Sequence, residues 1–347
     1  QFHEPGEERP VKVVLVPKTL KTPRVIAMEP TCMQYAQQGL RAALEEAITL
    51  VDTVCSLISC EFQEPNQLLA LRGSLHGDLA TLDLSEASDR VSNQHVRALL
   101  SRHPNVRRAV EACRSRKADV PGHGVIRLAK FASMGSALTF PIESMVFCTL
   151  VFLGIERTLN RQLTPKDVEF FQGQVRVYGD DIICPADCAQ SVAETLETFG
   201  FRVNSDKSFW TGKFRESCGE DYYDGHRVTP IRVNHAIPTS RGHVTEIVSL
   251  VETRNQFYMA GMWATAKYLD EILVGILKFY PIVSPESPVL GRHSVPFPPF
   301  AEGWDEDLHV PLVKGWVVKT RLPQHEATGL GALLKFFLKR GPQPRDK

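Results

Sequence analysis

The chain has 347 residues, 43% of them hydrophobic, enough to bury a sizeable core and to form more than one compact unit. Forty Lys and Arg balance forty Asp and Glu, so net charge singles out no partner and only local charge patterning can. Eight cysteines occur without a CxxC pair, which speaks against a structural zinc site and predicts reduced, mostly buried thiols in a cytosolic protein.

In chain order, VKVVLV (11–16) reads as a strand and PKTLKTPR (17–24) as a basic loop bounded by prolines. Arg9, Lys12, Lys18, Lys21 and Arg24 occur there with no acidic residue among them. Met33 to Leu57 has helical periodicity, with Leu40, Ala43, Leu44, Ala47 and Ile48 on one face. GDLATLDLSEASDR (77–90) predicts a short strand and then a helix start, with Ser85 and Ser88 as candidate caps. Between Arg102 and Lys130, eight Lys and Arg face only Glu111 and Asp119.

A long helix is expected from about Ser136. Its apolar centre, SMVFCTLVFLGI (144–155), is too short to span a bilayer and suits a core helix. VRVYGDDIICPA (175–186) then sets Asp180 and Asp181 between two β-branched runs, a hairpin with its tip at Gly179–Asp180. CAQSVAETLETFGFRVN (188–204) predicts an amphipathic helix, stopped by Gly200 and leading into a strand. FRESCGEDYYDGHRVTPI (214–231) reads as a hairpin turning at YDGH, and Val244 to Tyr280 as helical. Pro281 to Pro299 should be an irregular connector, and GALLKFFLKR (331–340) a final helix.

Adjacent carboxylates at a hairpin tip are, taken alone, a solvated turn. Here the flanks are apolar, a further strand-end carboxylate, Asp83, occurs about a hundred residues earlier, and a basic loop precedes both. Buried like charges are costly unless a cation lies between them. Hard divalent ions with oxygen ligands, Mg²⁺ above all, meet that need. Two such ions about 4 Å apart can activate an attacking oxygen and stabilise a leaving phosphate. A nucleotide triphosphate would then need cations away from the metals, and Lys18, Lys21 and Arg24 are candidates.

The ordered set VPKTLKTPRVIAMEP, LATLDLSEASD, FASMGSALTFPIES, VYGDDII, GFRVNSDKSFWTG and FRESCGEDYYDG resembles the fingers motif, palm motifs A to D and palm–thumb segment of viral RNA-dependent RNA polymerases. The resemblance is closest to the replicase catalytic (beta) subunit of the positive-strand RNA bacteriophages, the leviviruses. It runs collinearly from about Val11 to Ile231, some two-thirds of the chain. What it implies is an α+β right-hand polymerase: an antiparallel palm sheet backed by helices, partial fingers and a helical thumb. The implied parts are partial fingers with the basic nucleotide loop at 1–77, palm motif A at 78–93 and a fingers insertion at 94–128. Palm motifs B, C and D with the palm–thumb hairpin would take 129–227, and a thumb-like region 228–347.

The resemblance also implies roles. Asp83 and Asp180 would be the principal metal ligands, with Asp181 in support, for two Mg²⁺ ions that Mn²⁺ can replace. Lys207 would protonate the pyrophosphate leaving group. Lys18, Lys21 and Arg24 would meet the triphosphate, and Asp89 would accept a hydrogen bond from the ribose 2′-OH. Ser133, Gly135 and Thr139 would contact template or ribose, and the basic stretch 102–130 would hold template phosphates. Implied partners are template and product RNA, nucleoside triphosphates, and host elongation factors Tu and Ts with ribosomal protein S1, all in the cytoplasm of a bacterial host and without a membrane.

Three features depart from the resemblance. Ser136 and Ala137 stand where the phage enzymes usually carry Asn and Gly, Pro141 takes a usually polar position, and only ten residues precede Val11. The last favours a partial chain. Two other functions fit parts of the pattern. One is a catalytically impaired polymerase that only binds RNA, although its three metal carboxylates are intact. The other is a reverse transcriptase, against which Asp89 stands, because those enzymes usually place a bulky side chain there.

Overall fold

The β-branched run at the front forms β1 (Val11–Val16), paired antiparallel with β2 (Arg24–Met28). The computed structural model describes residues 7–16, 23–295 and 301–319. Lys18, Lys21 and the expected final helix lie outside the described residues. The chain divides into two compact units, one running through Thr229 and one beginning at Pro230.

In the first unit, the periodic segment after β2 is two helices, α1 (Thr31–Thr49) and α2 (Asp52–Leu57), rather than one. Val51 is extended (φ −117°, ψ 102°) and breaks the helical path between them. Next come α3 (Glu64–His76), β3 (Leu79–Leu82), α4 (Ala87–Arg90), α5 (Asn93–Leu99) and α6 (Pro104–Cys113). β4 (Lys117–Val120) and β5 (Gly124–Arg127) follow, with β4 joining β1 in parallel to give a four-stranded sheet ordered β2-β1-β4-β5.

The long apolar helix is α7 (Thr139–Leu159). At 21 residues it reaches the length and apolarity of a membrane span, which its apolar centre alone does not. Its Ile142, Val146, Phe147, Val151 and Ile155 are buried in the core of this unit, as suits a helix that is apolar nearly all round. Pro141 falls in the first turn, where a missing N–H costs nothing, so it does not break the helix.

After α8 (Pro165–Phe170) come β6 (Arg176–Tyr178), β7 (Asp181–Pro185) and α9 (Ala189–Thr198), the amphipathic helix that packs on α7. A three-stranded antiparallel sheet ordered β3-β7-β6 results, in which Leu82 pairs with Ile182 and Tyr178 with Asp181. Leu79, Ala80, Leu82, Val177, Ile182, Ile183 and Cys184 are all nearly solvent-free, so both faces of this sheet are covered.

The segment after Gly200 is not a strand. It touches the outer edge of β3 through an isolated bridge from Thr81 to Phe209, and the residues just after β3 through one from Leu84 to Val203. The expected hairpin at 214–231 has two turns and three strands, β8 (Phe214–Ser217), β9 (Glu220–Tyr223) and β10 (His226–Arg227). Cys218 and Gly219 make the additional turn, both at positive φ.

The second unit is built on α10 (Val244–Met259) and α11 (Trp263–Ile276), parted at Gly261, with a core that includes Ile247, Leu250, Leu269 and Leu273. β11 (Val289–Leu290), β12 (Gly303–Asp305), β13 (Val310–Leu312) and β14 (Trp316–Val317) form two small ladders, β11-β14 and β12-β13. All eight cysteines are free, but only Cys148, Cys184 and Cys188 are fully buried, so the thiols are less hidden than expected.

Candidate active site

Asp83 follows β3 directly, Asp180 occupies the β6–β7 turn and Asp181 opens β7. With Leu82 paired to Ile182, the next step of the same register sets Asp83 opposite Asp181. The outer side of Asp83 is held by the segment after Gly200. The Asn204 side-chain amide donates to Asp83 Oδ2 at 2.9 Å, its backbone N–H donates to the Asp83 carbonyl at 2.9 Å, and the Asp83 N–H donates to Ser208 Oγ at 3.1 Å. Asp181 Oδ1 accepts from the Cys218 N–H at 3.0 Å and from Ser217 Oγ at 3.3 Å.

The electrostatics bind these groups together. Burial pushes the Asp181 carboxyl up to about 6; the Cys218 N–H opposes that rise, and the charges of Asp180 and Asp83 add to it. Glu143, inside α7, is pushed up to about 8, by burial first and then by Asp180 and Asp89. Its Oε2 is buried without a hydrogen-bond partner. Among the described residues, no group of three or more His, Cys, Asp or Glu side chains stands as a finished metal cage. The donor set nevertheless fits a hard divalent cation, because it offers carboxylate oxygens whose mutual repulsion a cation would relieve.

The turn itself is clamped by α7. Gly179 has φ +60° with Asp180 after it, the glycine-first pattern of a type II′ hairpin. A Cβ at Gly179 would lie 2.6 Å from Phe140 Cε2, so the ring closes over the turn. The Gly179 N–H donates to Ser144 Oγ at 3.0 Å, and that hydroxyl donates to the Phe140 carbonyl at 2.8 Å. Phe140 also meets Tyr178 edge-on at 4.8 Å.

The loop before α7 is tied to β2. Gly135 has φ +118°, and a Cβ there would fall 2.1 Å from the Ala27 carbonyl oxygen. Beside it, the Ala27 N–H donates to the Met134 carbonyl at 2.8 Å. The close approach that Gly135 permits is therefore to this chain's own strand. Thr139 Oγ1 donates to the Ser133 carbonyl at 2.9 Å, and Ser136 Oγ donates to Gln37 Oε1 at 3.0 Å. Gln37 is fully buried; it also accepts from the Ala137 N–H and donates to the Cys113 carbonyl. The serine at 136 is thus used to brace the loop.

Elsewhere, Lys130 Nζ pairs with Asp89 Oδ1 at 2.5 Å, and Lys207 Nζ lies 3.8 Å from Glu216 Oε1. Arg24 is exposed at the start of β2. The basic stretch is partly committed internally: Arg114 donates to the carbonyls of Leu128, Lys130 and Phe131, Arg116 pairs with Glu8, and Arg108 with Asn105. Asn204, Ser144, Gln37 and Lys130 escape a reading of spacing, since their partners lie 35 to 121 residues away.

The family model for the RNA replicase beta-chain matches residues 8–263. The RNA-directed RNA polymerase subunit beta of Qbeta virus (strain MX1) is 37% identical over 254 residues, covering 73% of this chain and 39% of that protein. The RNA-directed RNA polymerase beta chain of Escherichia phage MS2 is 36% identical over 226 residues, 65% of this chain and 38% of that one. The chain therefore spans about two-fifths of the length of these curated relatives. Among solved structures, the RNA-dependent RNA polymerase of a human picorbirnavirus aligns with a TM-score of 0.49 at 12% identity, over 71% of this chain and 52% of that one. On the family match and the sequence relatives, the chain belongs to the RNA replicase beta-chain family.

Proposed function

We propose that this chain carries the palm of a right-hand polymerase and performs template-directed RNA synthesis on an RNA template. The observation that carries the reading is the convergence of Asp83, Asp180 and Asp181, two of which raise the third's pKa by their charge. In the transfer, a 3′-oxygen of primer or nascent RNA joins the α-phosphorus of a nucleoside triphosphate as the bond to pyrophosphate breaks. Two Mg²⁺ ions, when bound by Asp83 and Asp180 with Asp181 in support, would supply a more acidic 3′-hydroxyl and neutralise the triphosphate.

The remaining roles are proposals supported by the family match and by the contacts of the described residues. Asn204 and Ser208 hold Asp83 in position, and the Cys218 N–H and Ser217 hydroxyl fix one oxygen of Asp181, which suits a supporting ligand. Lys207, half-exposed beside Glu216, is the proposed proton donor to pyrophosphate. Arg24, together with Lys18 and Lys21, is proposed to meet the triphosphate, since a guanidinium fork pairs well with phosphate oxygens. Ser133, Gly135 and Thr139, in the braced segment at the head of α7, are proposed to contact template or ribose, and Asp89 is the proposed acceptor of the 2′-OH. For the complete replicase, the proposed partners include elongation factors Tu and Ts and ribosomal protein S1, in the host cytoplasm.

The test is Mg²⁺-dependent incorporation of ribonucleotides on a primed RNA template by wild type and Asp180→Asn. Wild type should extend the primer, and the variant should lose at least about a hundredfold in rate, as fits the loss of a principal ligand of the catalytic ions. Undiminished extension by Asp180→Asn would remove the carboxylate assignment. RNA binding without extension by wild type would favour the reading of an RNA-binding, impaired polymerase, and faster use of deoxynucleotides that of a reverse transcriptase.

A further inference from the structure

The ion pair between Lys130 and Asp89 differs from an ordinary surface pair, which holds two flexible side chains loosely and contributes little. The Lys130 side chain is 20% exposed and that of Asp89 43%, so the pair is closed on the lysine side and open on the other. Both backbones are anchored. The Lys130 carbonyl accepts from Arg114 Nη2 at 2.8 Å, and the same guanidinium holds the carbonyls of Leu128 and Phe131. Lys130 also bridges to Ser92, and the Phe131 N–H donates to the Val91 carbonyl at 2.7 Å, which ties this segment to the chain just after Asp89.

Asp89 itself rides on α4, which starts from Glu86 in the left-handed region (φ +55°) and is tethered by the Glu86–Arg90 pair at 3.0 Å. A non-glycine residue at positive φ is strained and persists where the surroundings enforce it. The turn that aims Asp89 is therefore held by its surroundings. Asp89 also lies close enough to Glu143 for its charge to be felt there, which sets it beside the carboxylate cluster.

We propose that Lys130 is a positioning residue for sugar selection: its ammonium occupies Asp89 Oδ1 and leaves Oδ2 as the acceptor for the 2′-OH of an incoming ribonucleotide. The inference rests on the reading of Asp89 given above. A carboxylate free to rotate would meet the 2′-OH with either oxygen, or turn away from it. A carboxylate pinned by an ammonium on its less exposed side presents one oxygen in a fixed direction, so less order has to be imposed when the nucleotide binds.

The experiment measures kcat/KM for a ribonucleoside triphosphate and its 2′-deoxy counterpart with wild type, Lys130→Met, Lys130→Arg, Asp89→Asn and the Lys130→Met/Asp89→Asn double variant. Lys130→Met should lower the ribo-to-deoxy ratio roughly tenfold, the scale of one oriented hydrogen bond to a charged acceptor, and chiefly through the KM of the ribonucleotide. Lys130→Arg should restore most of the ratio. In the Asp89→Asn background the lysine change should add nothing, because the two act as a unit.

Equal losses for both sugars in Lys130→Met, or additive effects in the double variant, would overturn the inference. If Asp89→Asn lowers the ratio but Lys130→Met does not, only the lysine's role fails. If neither changes it, the ribose role of Asp89 fails as well. Should wild type not extend primers at all, equilibrium binding of the two triphosphates with Mg²⁺ gives the same ratio, and equal loss of both on Lys130→Met would be decisive against it.

Discussion

At the residue scale, Gly179 does two things that no other side chain can combine. It takes a positive φ and leaves room for the Phe140 ring 2.6 Å from where a Cβ would be. Gly179→Ala should therefore cost about 1–3 kcal/mol and displace Asp180 enough to cut incorporation at least about tenfold. Ser144→Ala removes the acceptor of the buried Gly179 N–H and should also cost roughly 1–3 kcal/mol, with a smaller loss of activity. Urea unfolding and primer extension on both variants check this; an alanine at 179 as stable as wild type would contradict the clamp. The aspartates themselves are legible in the sequence because charges between β-branched runs are conspicuous. Ser144 and Asn204 are not, because a helix serine and a loop asparagine have many ordinary uses and gain this one only from a distant chain segment.

At the element scale, local chemistry identifies most helices and strands but not every boundary. Ser85 and Ser88 are good capping residues by type, yet α4 starts from Glu86 and the capping serine is Ser92, at the head of α5. There His95 completes a capping box: the His95 N–H donates to Ser92 Oγ at 3.2 Å, and the Ser92 N–H donates to His95 Nδ1 at 3.3 Å. That nitrogen can accept only while the ring is neutral, and burial against Phe199 and Phe201 lowers the His95 pKa below 6.5. As pH falls below 6.5 the unfolded chain takes the proton before the folded one, so this contribution to stability is present at neutral pH and is lost towards acid. His95→Gln keeps a capping side chain without titrating. Between pH 7.5 and 5.5, wild type should lose stability relative to that variant in urea unfolding; parallel pH profiles would show that the ring does not titrate in this range. The mistaken single turn at 214–231 has a similar origin. Asp224–Gly225 is an obvious turn signal, whereas Cys218 at φ +50° belongs to a residue type that rarely signals one.

At the scale of the whole molecule, the join between the two units is open to attack. Residues 230–243 form no helix or strand and are mostly exposed. Within this stretch Arg232 is exposed, while Arg241 donates to the Ile276 carbonyl at 2.7 Å and lies over the Trp316 ring. Brief trypsin treatment should therefore cut first after Arg232 among the described residues of 230–243, and mass spectrometry of the fragments identifies the site. First cuts inside α7 or α9 would contradict the division into units. Individual strands and helices are legible in the sequence as short β-branched runs and longer periodic segments, whereas the α+β class comes from the resemblance of the ordered motifs. The pairing of β1 with β4 is not legible, because a parallel partner about a hundred residues away leaves no local trace.

The order β3-β7-β6, with residues 203–209 along the outer edge of β3, also governs how the protein is made. β3 emerges from the ribosome about a hundred residues ahead of its inner partner, which begins at Asp181, and further still ahead of its outer one, near Val203. At about 5–20 residues per second, some 5–20 s pass before an apolar strand with two unpaired edges can be covered. During that interval β3 is exposed to wrong pairing. Synthesis rate and chaperone supply should therefore affect the yield of this protein more than its final stability does.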